Sequence, residues 1–320
     1  MTKPGPNLMG TFSTFKRFLT DWRTIRIHAG EVLAMNRRNL HYIYPNNPRS
    51  GFPIADDKLL TKELLVPQGV PMPQTYLVYS SFFELRNLEA DLAKIQDFVI
   101  KPARGRQGGG IIVITGKKGG DWLGISGKTY SLPALKRHIS DIIFGIHSFD
   151  MKDRAIIESR LCQLEAFSRL SPLGLADIRV ILHQGRPVMA MTRLPTRQSD
   201  GKANLHQGAV GVGIHLKTGK TNHAIWLKHS VDRHPDTQEP LLGEVIPQWQ
   251  AVLKIAVKAA DAVPLKYLGV DISLTTDGPV LLEINARPGL EIQNANLAGL
   301  ARALALSSDP DTGRQTARQD

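Results

Sequence analysis

Gly269-Val270-Asp271-Ile272-Ser273-Leu274-Thr275-Thr276-Asp277-Gly278-Pro279-Val280-Leu281-Leu282-Glu283-Ile284-Asn285-Ala286-Arg287-Pro288-Gly289 is the stretch from which the rest of the chain is read. Two apolar runs flank Asp277-Gly278, a pair that fits a three-residue hairpin loop with glycine in the left-handed position. With the turn centred on Asp277, paired residue numbers sum to 554, so Asp271 opposes Glu283. Side chains alternate between the faces of a strand, which brings Asn285 onto the face of Glu283. Carboxylates directly opposed across a hairpin, with Cβ atoms about 5 Å apart, repel unless a cation stands between them. The group offers oxygen donors and neither histidine nor cysteine, a set that selects Mg²⁺ or Mn²⁺ over zinc. Asp271, Glu283 and Asn285 are therefore the candidate metal ligands.

Upstream, Val99-Ile100-Lys101-Pro102-Ala103-Arg104-Gly105-Arg106-Gln107-Gly108-Gly109-Gly110 runs into the apolar Ile111-Ile112-Val113-Ile114. A glycine-rich loop between two strands can fold its N–H groups over phosphates, with a lysine at the end of the first strand as a point charge. No Gly-Lys-Ser/Thr follows, which excludes a Walker A loop. A strand rather than a helix comes next, which excludes the dinucleotide fingerprint. Paired with a hard-cation hairpin, the loop points to a nucleoside triphosphate held by Mg²⁺ under a flexible lid.

Around these motifs the pattern predicts a helix from Asp56 through Leu65 and strands over 75–79, 98–101, 111–115, 155–158, 178–183, 187–193, 270–274 and 280–284. Helices are expected around 249–262 and from about Gln293. Strands and helices mix without strict alternation, which argues α+β layers with antiparallel hairpins. Residues 11–27 space aromatic and aliphatic residues near helical periodicity with basic residues between them. The turn formers of Tyr44-Pro45-Asn46-Asn47-Pro48-Arg49-Ser50-Gly51 suggest a loop and a boundary. Three regions are expected: an N-terminal helical and basic segment (1–55), a catalytic body (56–305) and a disordered tail (306–320). Within the body, a glycine-loop subdomain spans about 75–158 and a metal-binding subdomain about 159–305.

The single cysteine, Cys162, excludes a disulfide framework. No apolar run is long enough to span a bilayer and the N-terminus lacks a signal core, so the expected location is the cytoplasm. The formal net charge of +11 is concentrated in two blocks, with eight Lys/Arg against two acids in 1–50 and eleven against five in 101–160. A nucleic-acid binder is disfavoured, because 6% aromatic residues offer few stacking platforms and neither block carries a recognisable motif. The ten histidines form neither His-x-His nor His-Glu-x-x-His, and no Gly-x-Ser-x-Gly elbow is present.

From about Asp56 to Leu300 the chain resembles ATP-grasp carboxylate-amine ligases, most closely the alpha-L-glutamate ligase-like proteins related to ribosomal-protein glutamate ligases. The match is carried by Asp57-Lys58, the Lys101-Pro102 strand end with its glycine loop, Ile157-Glu158, Asp177-Ile178-Arg179, Arg193, Asn204-Leu205-His206-Gln207-Gly208, and Asp271 with Glu283 through Gly289. The resemblance implies an ATP-grasp fold, two α+β subdomains clamping ATP, with a shortened N-terminal segment. It implies that Lys58 and Lys101 contact ATP phosphates beneath Gly105, Gly108, Gly109 and Gly110, and that Glu158, with the backbone of Ser159 and Arg160, holds adenine. Arg179 is assigned to the nucleotide, and Asp271, Glu283 and Asn285 to two Mg²⁺ (or Mn²⁺) ions. Arg193, Asn204 and Arg287 would face the transferred phosphoryl group. The implied reaction joins a carboxylate, on a small molecule or a peptide terminus, to glutamate or a related amino acid through an acyl phosphate. The alternative is an ATP-binding regulatory relative without ligase turnover. Residues 1–55 are fewer than the glutamate ligases devote to their N-terminal domain, which leaves the basic N-terminus to meet a protein partner or an anionic surface. About ten extra residues separate Glu158 from Asp177, so the ribose-binding acid is open, with Glu165 a candidate.

Overall fold

The computed structural model describes residues 30–105 and 108–307. The helix expected over 11–27 and the tail beyond 307 lie outside the described residues, as do Arg106 and Gln107.

Residues 35–46 form successive helical turns, Met35–Arg38, Asn39–Ile43 and Tyr44–Asn46, followed by Arg49–Gly51 and Phe52–Asp56. The stretch read as a boundary loop is thus mostly helical. Pro45 and Pro53 sit in first turns, where proline's missing N–H has no helical partner to lose. Asn47 fixes the segment to the body: its amide donates to Tyr267 O at 2.7 Å and its Oδ1 accepts from the N–H groups of Lys266 and Tyr267. At Gly51 a Cβ would lie 2.7 Å from Leu265 Cδ2, so the close approach there requires glycine.

The helix expected from Asp56 begins two residues later, as α1 (Lys58–Leu65), because Asp57 is its N-cap and accepts from the N–H groups of Leu59 and Leu60. A six-stranded antiparallel sheet follows, built from β1 (Thr75–Tyr79), β2 (Phe98–Pro102), β3 (Ile112–Lys118), β4 (Asp121–Gly124), β5 (Thr129–Tyr130) and β6 (Ala155–Glu158), in the order β1-β6-β2-β3-β4-β5. Helix α2 (Leu132–Phe144) covers it. Ser131 caps its start, and Gly145, at φ +90°, ends it. Leu135, Ile139 and Ile142 fall at i, i+4, i+7 and pack on Phe98, Ile100 and Ile114.

The second sheet has seven antiparallel strands: β7 (Asp177–His183), β8 (Arg186–Leu194), β9 (Val210–Ile214), β10 (Thr221–Trp226), β11 (His229–Ser230), β12 (Tyr267–Thr275) and β13 (Gly278–Asn285), in the order β11-β10-β9-β8-β7-β12-β13. Helix α3 (Trp249–Ala262) closes one face through Val252, Ala256, Ala259 and Ala260. The other face is closed by Leu33 and Ile43 together with α4 (Ile292–Asn296) and α5 (Leu300–Ser307). Every residue of β7 and β12 is buried, which explains their apolar runs.

The hairpin register corrects the sequence reading at its tip. Thr275 pairs with Gly278, leaving the two-residue loop Thr276-Asp277, with Gly278 at φ +116°. The register then shifts, since Ile272 pairs with Leu281 whereas Asp271 pairs with Glu283, so Leu282 is an extra residue in β13. Asp271 faces Glu283 because a bulge offsets the shorter turn.

Candidate functional site

Four neighbouring strands bring the charged cluster together. Asp271 on β12 pairs across the backbone with Arg179 on β7 and with Glu283 on β13, and Asp177 pairs with Arg193 on β8. The Asp271 side chain, 1% exposed, accepts from Arg179 Nε at 2.7 Å and Nη2 at 2.6 Å, and from Arg193 Nη2 at 2.8 Å. Arg193 also makes a bidentate pair with Asp177, at 2.6 and 2.5 Å. The Asn285 amide donates to Asp271 Oδ2 at 3.1 Å and Glu283 Oε1 at 3.5 Å. Burial alone would raise the Asp271 carboxyl, but the guanidinium groups of Arg179 and Arg193 outweigh it and hold the group below the usual carboxylate range. In Asp177 burial prevails over the pull of Arg193 and pushes the carboxyl up to about 6. Arg193 moves upward because Asp177 and Asp271 outweigh its own burial.

Lys58 connects this cluster to the glycine loop. Its Nζ donates to Gly105 O at 2.9 Å and stands 3.5 Å from Glu283 Oε2. Lys58 leaves the first turn of α1, whose cap Asp57 also accepts from Arg104 Nε at 3.1 Å and Arg154 Nη2 at 2.7 Å. The Arg104 N–H donates to Asp153 at 3.0 Å, so both ends of the strand-to-loop turn are anchored. Gly105 lies so close to Pro102 that a Cβ would be 2.1 Å from the ring. Gly108 and Gly110 have positive φ, and the Gly110 carbonyl accepts from His138 Nε2 on α2 at 2.9 Å. Gly109 lies between them, within the same turn.

Lys101 forms an ion pair with Glu158 on the neighbouring strand, and Lys62 Nζ reaches the other carboxylate oxygen at 2.6 Å. Lys62 was missed from sequence, yet the signal was present, because it lies four residues after Lys58 and so on the same face of α1. Burial, only partly opposed by Glu158, pulls its ammonium below the usual range. The other overlooked residues are Asp57 as an anchor, Asp153, and Asp177 as partner of Arg193.

Four further expected residues, Asn204, Arg287, Arg160 and Ser159, lie outside these groups. Asn204 accepts from His206 N at 3.0 Å and caps the turn Leu205–Gln207. Arg287 stacks over Phe52, 4.1 Å from its centroid, and is 3.9 Å from Asp56 Oδ2. Arg160 meets Asp97 at 3.6 Å. The Ser159 N–H donates to Gln74 O at 2.8 Å, so this N–H pairs within the protein. A cavity of about 850 Å³ opens beside Arg104 and Arg287.

Among the described residues, no three His, Cys, Asp or Glu side chains are grouped to hold a metal. The hairpin set consists of two carboxylates and one amide. Glu283 retains 35% exposure of its side chain, so it can reach a ligand. Asp177, Asp271 and Glu283 are balanced by Arg179, Arg193 and Lys58, leaving the cluster formally neutral. The donors therefore fit a hard cation that arrives with polyphosphate better than one bound alone.

Two antiparallel sheets, a glycine loop tied by Lys58 to an acidic hairpin, and Glu158 of β6 buried between two lysines agree with the resemblance to ATP-grasp proteins. Residues 37–306 match the family described as Sugar-transfer associated ATP-grasp, and the chain belongs to it. It is 27% identical over 251 residues to a probable alpha-L-glutamate ligase of Halorhodospira halophila, covering 78% of this chain and 61% of the relative. It is 24% identical over 248 residues to a ribosomal protein bS6–L-glutamate ligase of Escherichia coli O139:H28, with the same coverage. The chain thus spans about three fifths of the length of these curated relatives. A solved D-alanine–D-alanine ligase from Bacillus anthracis in complex with ATP aligns with a TM-score of 0.42 at 15% identity, over 79% of this chain and 63% of that one. No helix among the described residues is long and apolar enough to cross a membrane.

Proposed function

We propose that the chain is an ATP-dependent carboxylate-amine ligase. The observation that carries this reading is the position of Lys58, which contacts both the glycine loop and Glu283 of the acidic hairpin. Such a lysine stands where the phosphates of a nucleotide lying between loop and hairpin would be.

Bound MgATP would supply the transferable phosphoryl group and the cations that screen its charge. Glu283, Asn285 and Asp271 are the residues to hold those cations. Lys58 would face the phosphates from the loop side, Lys101 would reach them on release from Glu158, and the Glu158–Arg160 segment would border adenine through groups other than the Ser159 N–H, which Gln74 O already takes. Arg179 and Arg193, fixed by Asp271 and Asp177, present pre-oriented guanidinium groups to developing charge and need little reorganisation during reaction. Asn204 and Arg287 are assigned to the transferred phosphoryl group and the acyl intermediate. With MgATP bound, a substrate carboxylate would attack the γ-phosphorus in line and displace ADP to give an acyl phosphate; an amine would then attack the acyl carbon, expel phosphate and lose a proton to leave the amide. The glutamate ligases among the relatives favour glutamate as the amine donor, and the family's link to sugar transfer adds sugar acids and amino sugars to the substrates worth trying.

Incubation with MgATP, glutamate and such a panel, with ADP, phosphate and product mass followed, tests the reading. Amide formation that falls at least about a hundredfold in Asp271→Asn and Glu283→Gln supports it. Nucleotide binding without ADP release across the panel would instead indicate the regulatory alternative. Full turnover in both variants would remove the metal assignment.

A further inference from the structure

We propose that the cavity between the 44–56 segment, the start of the glycine loop and the end of the hairpin binds the carboxylate substrate, and that this substrate is a sugar acid of the hexuronate type. Its role as substrate rests on the ligase reading above; the binding itself does not.

Size is the first argument. The cavity holds about 850 Å³, within the range of small-molecule sites and enough to admit a ring-bearing molecule. Charge is the second. Among the described residues, Arg49, Arg104 and Arg287 line it and Asp56 is the one carboxylate. Arg104 is engaged by Asp57, and Arg287 lies 3.9 Å from Asp56. No ion pair joins Arg49 among the described residues, which makes its guanidinium the group suited to receive a carboxylate in a two-pronged contact. Lining is the third. Tyr44, Phe52, Phe149, Pro48 and Pro53 give flat apolar walls, and a pyranose has an apolar C–H face to lay on them. The stack of Arg287 on Phe52 holds one of these walls in place.

Position ties the cavity to the chemistry. Arg287 follows Asn285 by two residues, and Arg104 immediately precedes Gly105, whose carbonyl is bound to Lys58. Phe149, which lines it, and the adjacent Asp150 hold φ of 55° and 58°. This left-handed backbone is costly for an aromatic residue, and such strain concentrates at binding sites.

Calorimetric titration of the full chain with D-glucuronate, D-glucose and L-glutamate, without nucleotide, tests the inference. Glucuronate is expected to bind at least about tenfold more tightly than glucose or glutamate. Arg49→Ala should weaken it about tenfold or more and Arg49→Lys by less, while the exposed Arg137→Ala on α2 leaves it unchanged. Phe149→Gly should weaken binding and raise the melting temperature together. Equal glucuronate affinity in wild type and folded Arg49→Ala would overturn the proposal, as would absence of binding or a preference for glutamate. Because no ATP is present, Arg49-dependent binding in a protein that never releases ADP would sink the ligase reading and keep the pocket. Turnover with glutamate alongside Arg49-independent glucuronate titration would do the reverse.

Discussion

Asp57 shows how one residue can serve several levels of structure. Its carboxylate caps α1 and joins Arg104 and Arg154, which anchor the turn into the glycine loop. Both arginines are more than a third exposed, so their pairs are screened and the cap dominates. We expect Asp57→Ala to cost about 2 kcal/mol in urea denaturation and Asp57→Asn, which keeps a capping oxygen, about 1 kcal/mol. Equal losses would mean that the cap contributes nothing. Glu158 has more at stake, because it lies buried between two ammonium groups. Glu158→Gln should cost about 3 kcal/mol by leaving both uncompensated. The folded Lys62 already binds its proton less tightly than the unfolded chain, and loss of Glu158 lowers it further. The unfolded state then carries more protons, so the variant's deficit should shrink as pH rises toward about 10, the range in which unfolded lysine titrates. A deficit that is flat between pH 7 and 10 would place the cost elsewhere.

At the level of elements, eight of the thirteen described strands could be read from apolar runs, and the 249–262 helix from its periodicity, because packing imposes those patterns directly, whereas the short or glycine-rich β4, β5, β9, β10 and β11 were not expected. The hairpin is more instructive. The alternation of Asp271, Glu283 and Asn285 identified the shared face, but the two-residue turn and the bulge at Leu282 compensate one another, and no local signal separates that pair from a three-residue loop without a bulge. The 44–56 helices were hidden by their prolines and by Asn47, whose partners lie more than two hundred residues away. Element packing also sets a pH response. His138 on α2 reaches Gly110 O, and its pKa is lowered, mainly by burial and partly by His147, against the opposing pull of that carbonyl. A folded value below the unfolded one, near 6.5, means that this contribution to stability is complete above that pH and is lost as pH falls through the window beneath it. His183 and His234 shift in the same direction, also through burial. His138→Gln should therefore flatten the acid limb of stability by up to about 1.4 kcal/mol per pH unit. An unchanged slope between pH 5 and 7 would show that this histidine does not titrate with folding.

Across the whole molecule, the two sheets have separate apolar cores, and polar contacts link them at the site. Lys58 joins the loop of the first sheet to Glu283 of the second, and the charges around Asp271 balance without a ligand. This accounts for the +11 only in part: the 101–160 block supplies Lys101, Arg104 and Arg154 to the loop and its anchors, whereas the five Lys and Arg residues before Arg37 all lie outside the described residues. A balanced site has a thermodynamic consequence. A polyanion alone would bring excess negative charge beside Glu283 and Asp271, and a divalent cation alone would find those carboxylates already engaged. The two should therefore bind with positive coupling. ATP at a hundred times its dissociation constant should stabilise the chain by about 2.7 kcal/mol when Mg²⁺ is present, and either component alone by much less. Thermal melting with ATP, with Mg²⁺ and with both measures this directly, and Glu283→Gln should remove most of the cooperativity while leaving the unliganded melting temperature near that of the wild type, since Glu283 is partly exposed. Additive shifts from ATP and Mg²⁺ would show that the hairpin and the loop bind independently, and Lys58 would then be a structural contact rather than the link between them.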